Sequence, residues 1–147
     1  MGSLVIPEFV ALSAQKFHHP LTATQSRSHG YGIISMCASV GSQIEFSIKD
    51  KISENPLIIY SKTRCPYCRA VKTLFNRLGV KPVVVELDEL GPAQYQLKNA
   101  LKRLTGQSTV PNIFIGGKHI GGCSETMALH KKGELIPLLS ASGLKVS

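Results

Sequence analysis

Residues 56–87 read PLIIYSKTRCPYCRAVKTLFNRLGVKPVVVEL. Three patterns follow one another in this stretch. Leu57 to Tyr60 is a short run apolar on both faces, which suits a central strand covered on both sides. Ala70, Val71, Leu74, Phe75 and Leu78 then recur at helical spacing, with Arg69, Lys72, Asn76 and Arg77 mostly off that stripe. Gly79 closes the helix as a C′ residue. Pro82 to Leu87 forms a second strand. Strand, helix, strand implies two parallel strands joined by a right-handed crossover.

The flanks extend this unit. Upstream, Ile44, Ile48 and Ile52 fall on one face of a helix. Downstream, Gly91-Pro92 opens a helix whose buried side carries Leu97, Ala100, Leu101 and Leu104, and Gly106 ends it. NIFI and KHI flank Gly116-Gly117, a hairpin signal that makes this pair antiparallel. Ser124 is placed to cap a helix that stops at Gly133, and ELIPLLSA is a last short helix. The expected fold class is α/β: one four-stranded mixed sheet flanked by helices.

The chain of 147 residues allows one domain with a genuine core and a tail. Four cysteines in this length are too sparse for a secreted disulfide scaffold. No apolar run approaches the ~20 residues of a membrane span, so no membrane partner is expected. The net charge of +8 favours acidic partners without choosing among them. Neither an aromatic stacking platform nor a basic recognition helix is visible, which argues against nucleic acid. Before Glu45 the only acid is Glu8, and the segment is rich in Ser, Thr and Ala. That composition marks residues 1–40 as a transit peptide or disordered tail, leaving 41–147 as the domain. Cys37 would leave with the tail.

Cys65 and Cys68 stand at the junction of the first strand and its helix. Unpaired N–H groups and the positive end of the helix dipole favour an anion there. A thiol at such a place can be lowered from ~8.5 into a range of about 3.5 to 7.5. Arg64 and Lys62 add positive charge. Cys65 is then the attacking thiolate, and Cys68, one turn further in, the resolving thiol. A competing reading is a zinc site from Cys65, Cys68, His119 and Cys123, although their spacing departs from zinc-ribbon pairs. A structural disulfide across two residues would stabilise little.

CPYC at 65–68, TVP at 109–111 and GGCSE at 121–125 together resemble a dithiol glutaredoxin, over residues 42–141. VVELDELGP and LTGQSTVPNIFIGGKHIGGC are further similar to the plastid group of plant glutaredoxins. The resemblance implies a thioredoxin fold, which agrees with the element order read above. It also implies glutathione as reductant and co-substrate, and a monomer that reduces glutathione–protein mixed disulfides and protein disulfides. Together with the tail it implies the chloroplast; without a functional leader the chain would stay in the cytoplasm. Some members bind a [2Fe–2S] cluster between two subunits. Pro66 argues against this, since cluster binders tend to carry Gly or Ser there, and no resident metal is expected.

The resemblance also assigns a glutathione groove. Pro111 would be cis, turning the backbone of Val110 to pair with the ligand as a strand edge does. Thr109 would flank that edge. The N–H groups of Cys123 and Ser124 would hold the γ-glutamyl carboxylate, and Glu125 would face its ammonium. Lys62 and Lys98 would meet the glycyl carboxylate, and Tyr67 would pack beside the sulfur. Arg64 would lower the Cys65 pKa. Three positions depart from the family pattern: Arg64 replaces the Trp usual in the plastid group, Glu125 the commoner Asp, and Lys98 the frequent Gln. Cys123 is either a second reactive thiol or a small residue beside the groove.

Overall fold

The computed structural model describes residues 31–147. Helix α1 spans Tyr31–Glu54, strand β1 Leu57–Ser61, helix α2 Pro66–Arg77 and strand β2 Val83–Glu86. A 3-10 turn at Leu87–Glu89 leads to α3, Ala93–Thr105. Strands β3 (Asn112–Ile115) and β4 (Lys118–Gly121) follow, then α4 (Cys123–Lys131) and α5 (Leu135–Ala141). The sheet order is β2-β1-β3-β4. β1 and β2 are parallel, and the other two pairings are antiparallel. This is the mixed sheet with flanking helices expected from the crossover and the Gly-Gly hairpin.

β1 explains why the sheet is covered twice. Its five residues are all buried, and the four apolar and aromatic ones, Leu57 to Tyr60, alternate between two cores. Leu57 and Ile59 join Val71 and Phe75 of α2, Ile113 of β3, and Leu135 and Leu139 of α5. Ile58 and Tyr60 face the other way, onto Ile48 and Ile52 of α1, Leu97 and Leu101 of α3, and Phe114 of β3. Tyr60 meets Phe114 edge to face with ring centroids 6.0 Å apart, and burial pushes its phenol well above the ordinary tyrosine range.

Two boundaries differ from the sequence reading. α1 begins at Tyr31, upstream of the expected domain start at 41. Its later turns join the second core through Ile44, Ile48 and Ile52, the residues whose apolar periodicity marks that end. An ion pair between Arg103 and Glu45 ties α1 to α3. The leader expected in residues 1–40 falls on residues 1–30, which lie outside the described residues, and on the first turns of α1. The Cys37 side chain lies outside them too. The second difference is the cap of α4. It is Gly122, not Ser124, because the Glu125 carboxylate folds back to accept the Gly122 N–H at 2.8 Å. Among the described residues no helix is long and apolar enough to cross a membrane.

Candidate active site

The site lies where β1 ends and α2 begins. Cys65 is the N-cap of α2, in extended conformation with φ −85° and ψ 120°, and Pro66 follows it in the first turn. Proline costs nothing there, since its missing N–H would have no helical partner. The Cys65 thiol is half-buried and Cys68 is fully buried. Cys65, Cys68 and Cys123 all carry free thiols.

The two helix thiols are pushed in opposite directions. Partial burial raises Cys65, but the N–H and thiol of Cys68, the N–H of Tyr67 and the charge of Lys72 together outweigh it and leave Cys65 below its ordinary value. Cys68 is raised, first by burial and then by Cys65 itself, against the lowering effect of Ser61 and the Lys62 N–H. The outer sulfur therefore ionises more readily than the inner one. Lys72 is also ion-paired to Glu86 at the end of β2. It escaped the sequence reading because it looked like one polar residue among several on the open face of α2. Arg64 is exposed on the loop before Cys65.

The opposite wall is the loop before β3. The Val110–Pro111 peptide is cis, as the family resemblance implies. Cys65 Sγ lies 4.0 Å from the Val110 carbonyl oxygen. Gln107 steadies this loop by donating from Nε2 to the carbonyls of Thr109 and Pro111, at 3.0 and 2.9 Å. No role was expected of Gln107; its only signal is its place in GQSTVP. The N-terminus of α4 comes close because Gly121 and Gly122 lack side chains. A Cβ on Gly122 would stand 3.3 Å from the Pro111 carbonyl, and one on Gly121, at φ 121°, only 2.8 Å from Cγ of Glu125.

Between this loop, β4 and α4 lies an open groove of about 580 Å³ lined by Gln107, Thr109, His119, Gly121 and Glu125 among others. The N–H groups of Glu125 itself and Gly122 hold the Glu125 carboxyl below the usual range. Cys123 is half-buried, and its thiol is raised by burial and by the negative charges of Cys65 and Glu125. It thus lies close enough to Cys65 to feel its charge and ionises less readily than an ordinary cysteine. Cys65, Val110 and Cys123 are brought together, with Thr109, Pro111, Ser124 and Glu125 on adjoining backbone. Tyr67 is 66% exposed at the start of α2, open to a ligand beside Cys65. Lys98 is exposed on α3. Among the described residues no three His, Cys, Asp or Glu side chains are grouped to hold a metal ion.

This arrangement has close relatives. Residues 57–120 match the glutaredoxin family. The chain is 49% identical over 134 residues to monothiol glutaredoxin-S10 of Oryza sativa subsp. japonica, covering 90% of this chain and 82% of that protein. It is 58% identical over 106 residues to the chloroplastic glutaredoxin-C5 of Arabidopsis thaliana, covering 71% of this chain but only 61% of that longer protein. The crystal structure of a buckwheat glutaredoxin–glutathione complex superimposes with a TM-score of 0.68 at 41% identity, covering 73% of this chain and 96% of that one. The rice relative is described as monothiol, whereas this chain has both Cys65 and Cys68.

Proposed function

Because the chain belongs to the glutaredoxin family of glutathione-dependent thiol–disulfide oxidoreductases, we propose that it removes glutathione from glutathionylated proteins and also reduces protein disulfides. The observation that carries this reading is the polarised pair at the start of α2: a lowered, accessible Cys65 thiol above a raised, buried Cys68. The Cys65 thiolate attacks the glutathione sulfur of a mixed disulfide. A Cys65–glutathione bond forms, and the target leaves as a thiolate that takes a proton from water. A second glutathione thiolate attacks the bound glutathione sulfur, so glutathione disulfide departs and Cys65 is restored. With a protein disulfide, Cys65 forms the mixed bond and Cys68 displaces the target by closing the Cys65–Cys68 disulfide. Two glutathiones then reopen it.

Glutathione, a tripeptide with two carboxylates and one ammonium, is assigned to the surface between Cys65, the loop before β3 and the start of α4. The Val110 backbone edge and Thr109 pair with its cysteinyl residue next to Pro111. The N–H groups of Cys123 and Ser124 receive the γ-glutamyl carboxylate at the helix terminus. Glu125 faces the ammonium with the carboxylate oxygen not used in capping. Lys62 and Lys98 meet the glycyl carboxylate, and Tyr67 packs beside the sulfur. The chain works as a monomer on this reading.

The test is an assay with glutathione, its reductase and a small glutathione mixed disulfide, alongside an absorbance spectrum of the purified protein. Glutathione-dependent NADPH consumption and a colourless monomer are expected. No turnover would overturn the proposal. A coloured dimer would favour the iron–sulfur alternative, in which a cluster takes Cys65 and glutathione from each of two subunits as its four ligands.

Two further expectations belong with this reading. Lys72 acts on Cys65 through its charge, and Arg64, exposed immediately before Cys65, is assigned the same effect. Cys65 is depressed, so losing either cation raises its pKa and moves the pH dependence of its alkylation by iodoacetamide to higher pH. The shift is larger for Lys72→Met than for the exposed Arg64→Trp, and salt diminishes the Arg64 effect. Equal curves for Lys72→Met and the parent would mean that the Lys72 charge is spent on Glu86. The relative named chloroplastic and the acid-poor leader favour plastid delivery. A full-length fluorescent fusion is expected in plastids, and cytosolic fluorescence would discard that assignment alone.

A further inference from the structure

The parallel ladder between β1 and β2 ends at the pair Ser61 and Glu86. Two residues further along each strand, Thr63 and Asp88 again stand side by side. The pairing there is made by a side chain. The Thr63 N–H donates to both carboxylate oxygens of Asp88, at 3.1 Å each. The Thr63 hydroxyl donates to Oδ2 at 2.6 Å. Asp88 sits on the 3-10 turn Leu87–Glu89. A carboxylate there thus extends the sheet by one rung, beyond the point where the backbone can.

That rung lies under the reactive loop. Cys65 N–H bonds the Lys62 carbonyl at 3.2 Å, closing a turn over residues 62–65, and the Cys65 carbonyl accepts the Arg69 N–H at 3.1 Å to start α2. Thr63 is the second residue of this turn. Gripping it fixes the direction in which Lys62 leaves β1 on one side and the seat of Cys65 on the other. The Lys62 charge also reaches Asp88.

Stability alone accounts poorly for the contact. Thr63 and Asp88 are both exposed, and exposed charge-assisted contacts contribute little to folding. An aspartate beside a groove for an anionic peptide also carries the wrong sign for binding. Its charge is tolerable because three hydrogen bonds and the neighbouring ammonium absorb it.

We propose that Asp88 is a positioning residue of the reaction, whose grip on Thr63 holds the 62–65 turn so that the Lys62 ammonium and the Cys65 sulfur keep the spacing that a glutathione adduct spans. The inference rests on the glutathione reading above. Asp88 touches no reacting atom and acts only through Thr63 and the turn.

The test compares the full chain with Asp88→Ala, Asp88→Asn and Thr63→Val in steady-state turnover of a small glutathione mixed disulfide. Asp88→Ala raises KM about tenfold with kcat within about twofold, the size of one charge-assisted hydrogen bond. The plateau rate of Cys65 alkylation by iodoacetamide, which needs no groove, stays unchanged. Asp88→Asn recovers to within about threefold of the parent, because its Oδ1 still accepts the Thr63 N–H and its Nδ2 can donate to the Thr63 hydroxyl oxygen. Thr63→Val gives an intermediate loss, and its combination with Asp88→Ala costs less than the sum.

An unchanged KM in Asp88→Ala overturns the inference. So does a lowered KM in both Asp88→Ala and Asp88→Asn, which would make the carboxylate a mere repellent of the anionic substrate. If Asp88→Ala fails to fold, Thr63→Val decides: parental kinetics there overturn the inference. An inactive parent chain overturns the enzymatic reading and this inference with it, whereas an active parent with indifferent variants overturns this inference alone.

Discussion

Cys65→Ser is expected to lower turnover of glutathione mixed disulfides by at least about a hundredfold, because a serine hydroxyl stays un-ionised where the thiolate did the attacking. The groove, the Val110 edge and the cap of α4 would be unchanged, so the loss would fall on kcat and not on folding. Cys68→Ser is expected to behave otherwise. Its sulfur is buried and held protonated, so it cannot compete for a glutathione adduct. Mixed-disulfide turnover should stay within about threefold, while reduction of a protein disulfide should fall about tenfold or more, since no second thiol releases the trapped target. The two substrates measured side by side separate these roles. If Cys65→Ser kept even about a tenth of the activity, the nucleophile would have to be sought elsewhere.

The largest effect on stability is expected at Phe75. Its ring is fully buried on α2, in the cluster with Leu57, Ile59, Ile113, Leu135 and Leu139. Phe75→Ala removes that ring and leaves a cavity that β1, β3 and α5 cannot all close, at a cost of about 3–5 kcal/mol. Domains of this kind have only about 5–15 kcal/mol in total. The urea midpoint should drop accordingly with little change in slope. Tyr95 is as large a side chain but 68% exposed, and Tyr95→Ala should move the midpoint by the equivalent of only about 0.5 kcal/mol. A Phe75→Ala cost under about 1 kcal/mol would mean that the helix repacks over the sheet.

The elements that carry apolar pattern were legible in the sequence. β1, α2, β2 and the Gly116-Gly117 hairpin were each marked by a run, a stripe or a turn residue, and from them the sheet followed. Features that depend on distant residues were not. Asp88 reaches Thr63 over 25 positions, and Lys72 reaches Glu86 over 14. Neither sequence neighbourhood hints at the other partner. Ser124 was the natural choice of cap by residue type, yet Gly122 takes the place because Glu125, three residues on, can turn back to its N–H. The cysteine pair sits between these cases. Its position at a helix start was readable, but the division of labour among Cys68, Tyr67 and Lys72 in setting the Cys65 charge required their geometry.

The two-sided burial of β1 bears on which changes in chain length this protein can absorb. Adding or deleting one residue within Leu57–Ser61 would turn every following side chain of the strand to the opposite face. Leu57 and Ile59 would trade cores with Ile58 and Tyr60, and the nucleophile would be carried along by one rung relative to Pro111. Insertions should instead be borne at Gly117 and Gly133, where a turn stands open and an added Cβ would meet nothing within 4 Å. Spacing between Pro56 and Cys65 is thus a quantity as constrained as the identity of the cysteines, and length variation would have to accumulate on the far side of the sheet from the chemistry.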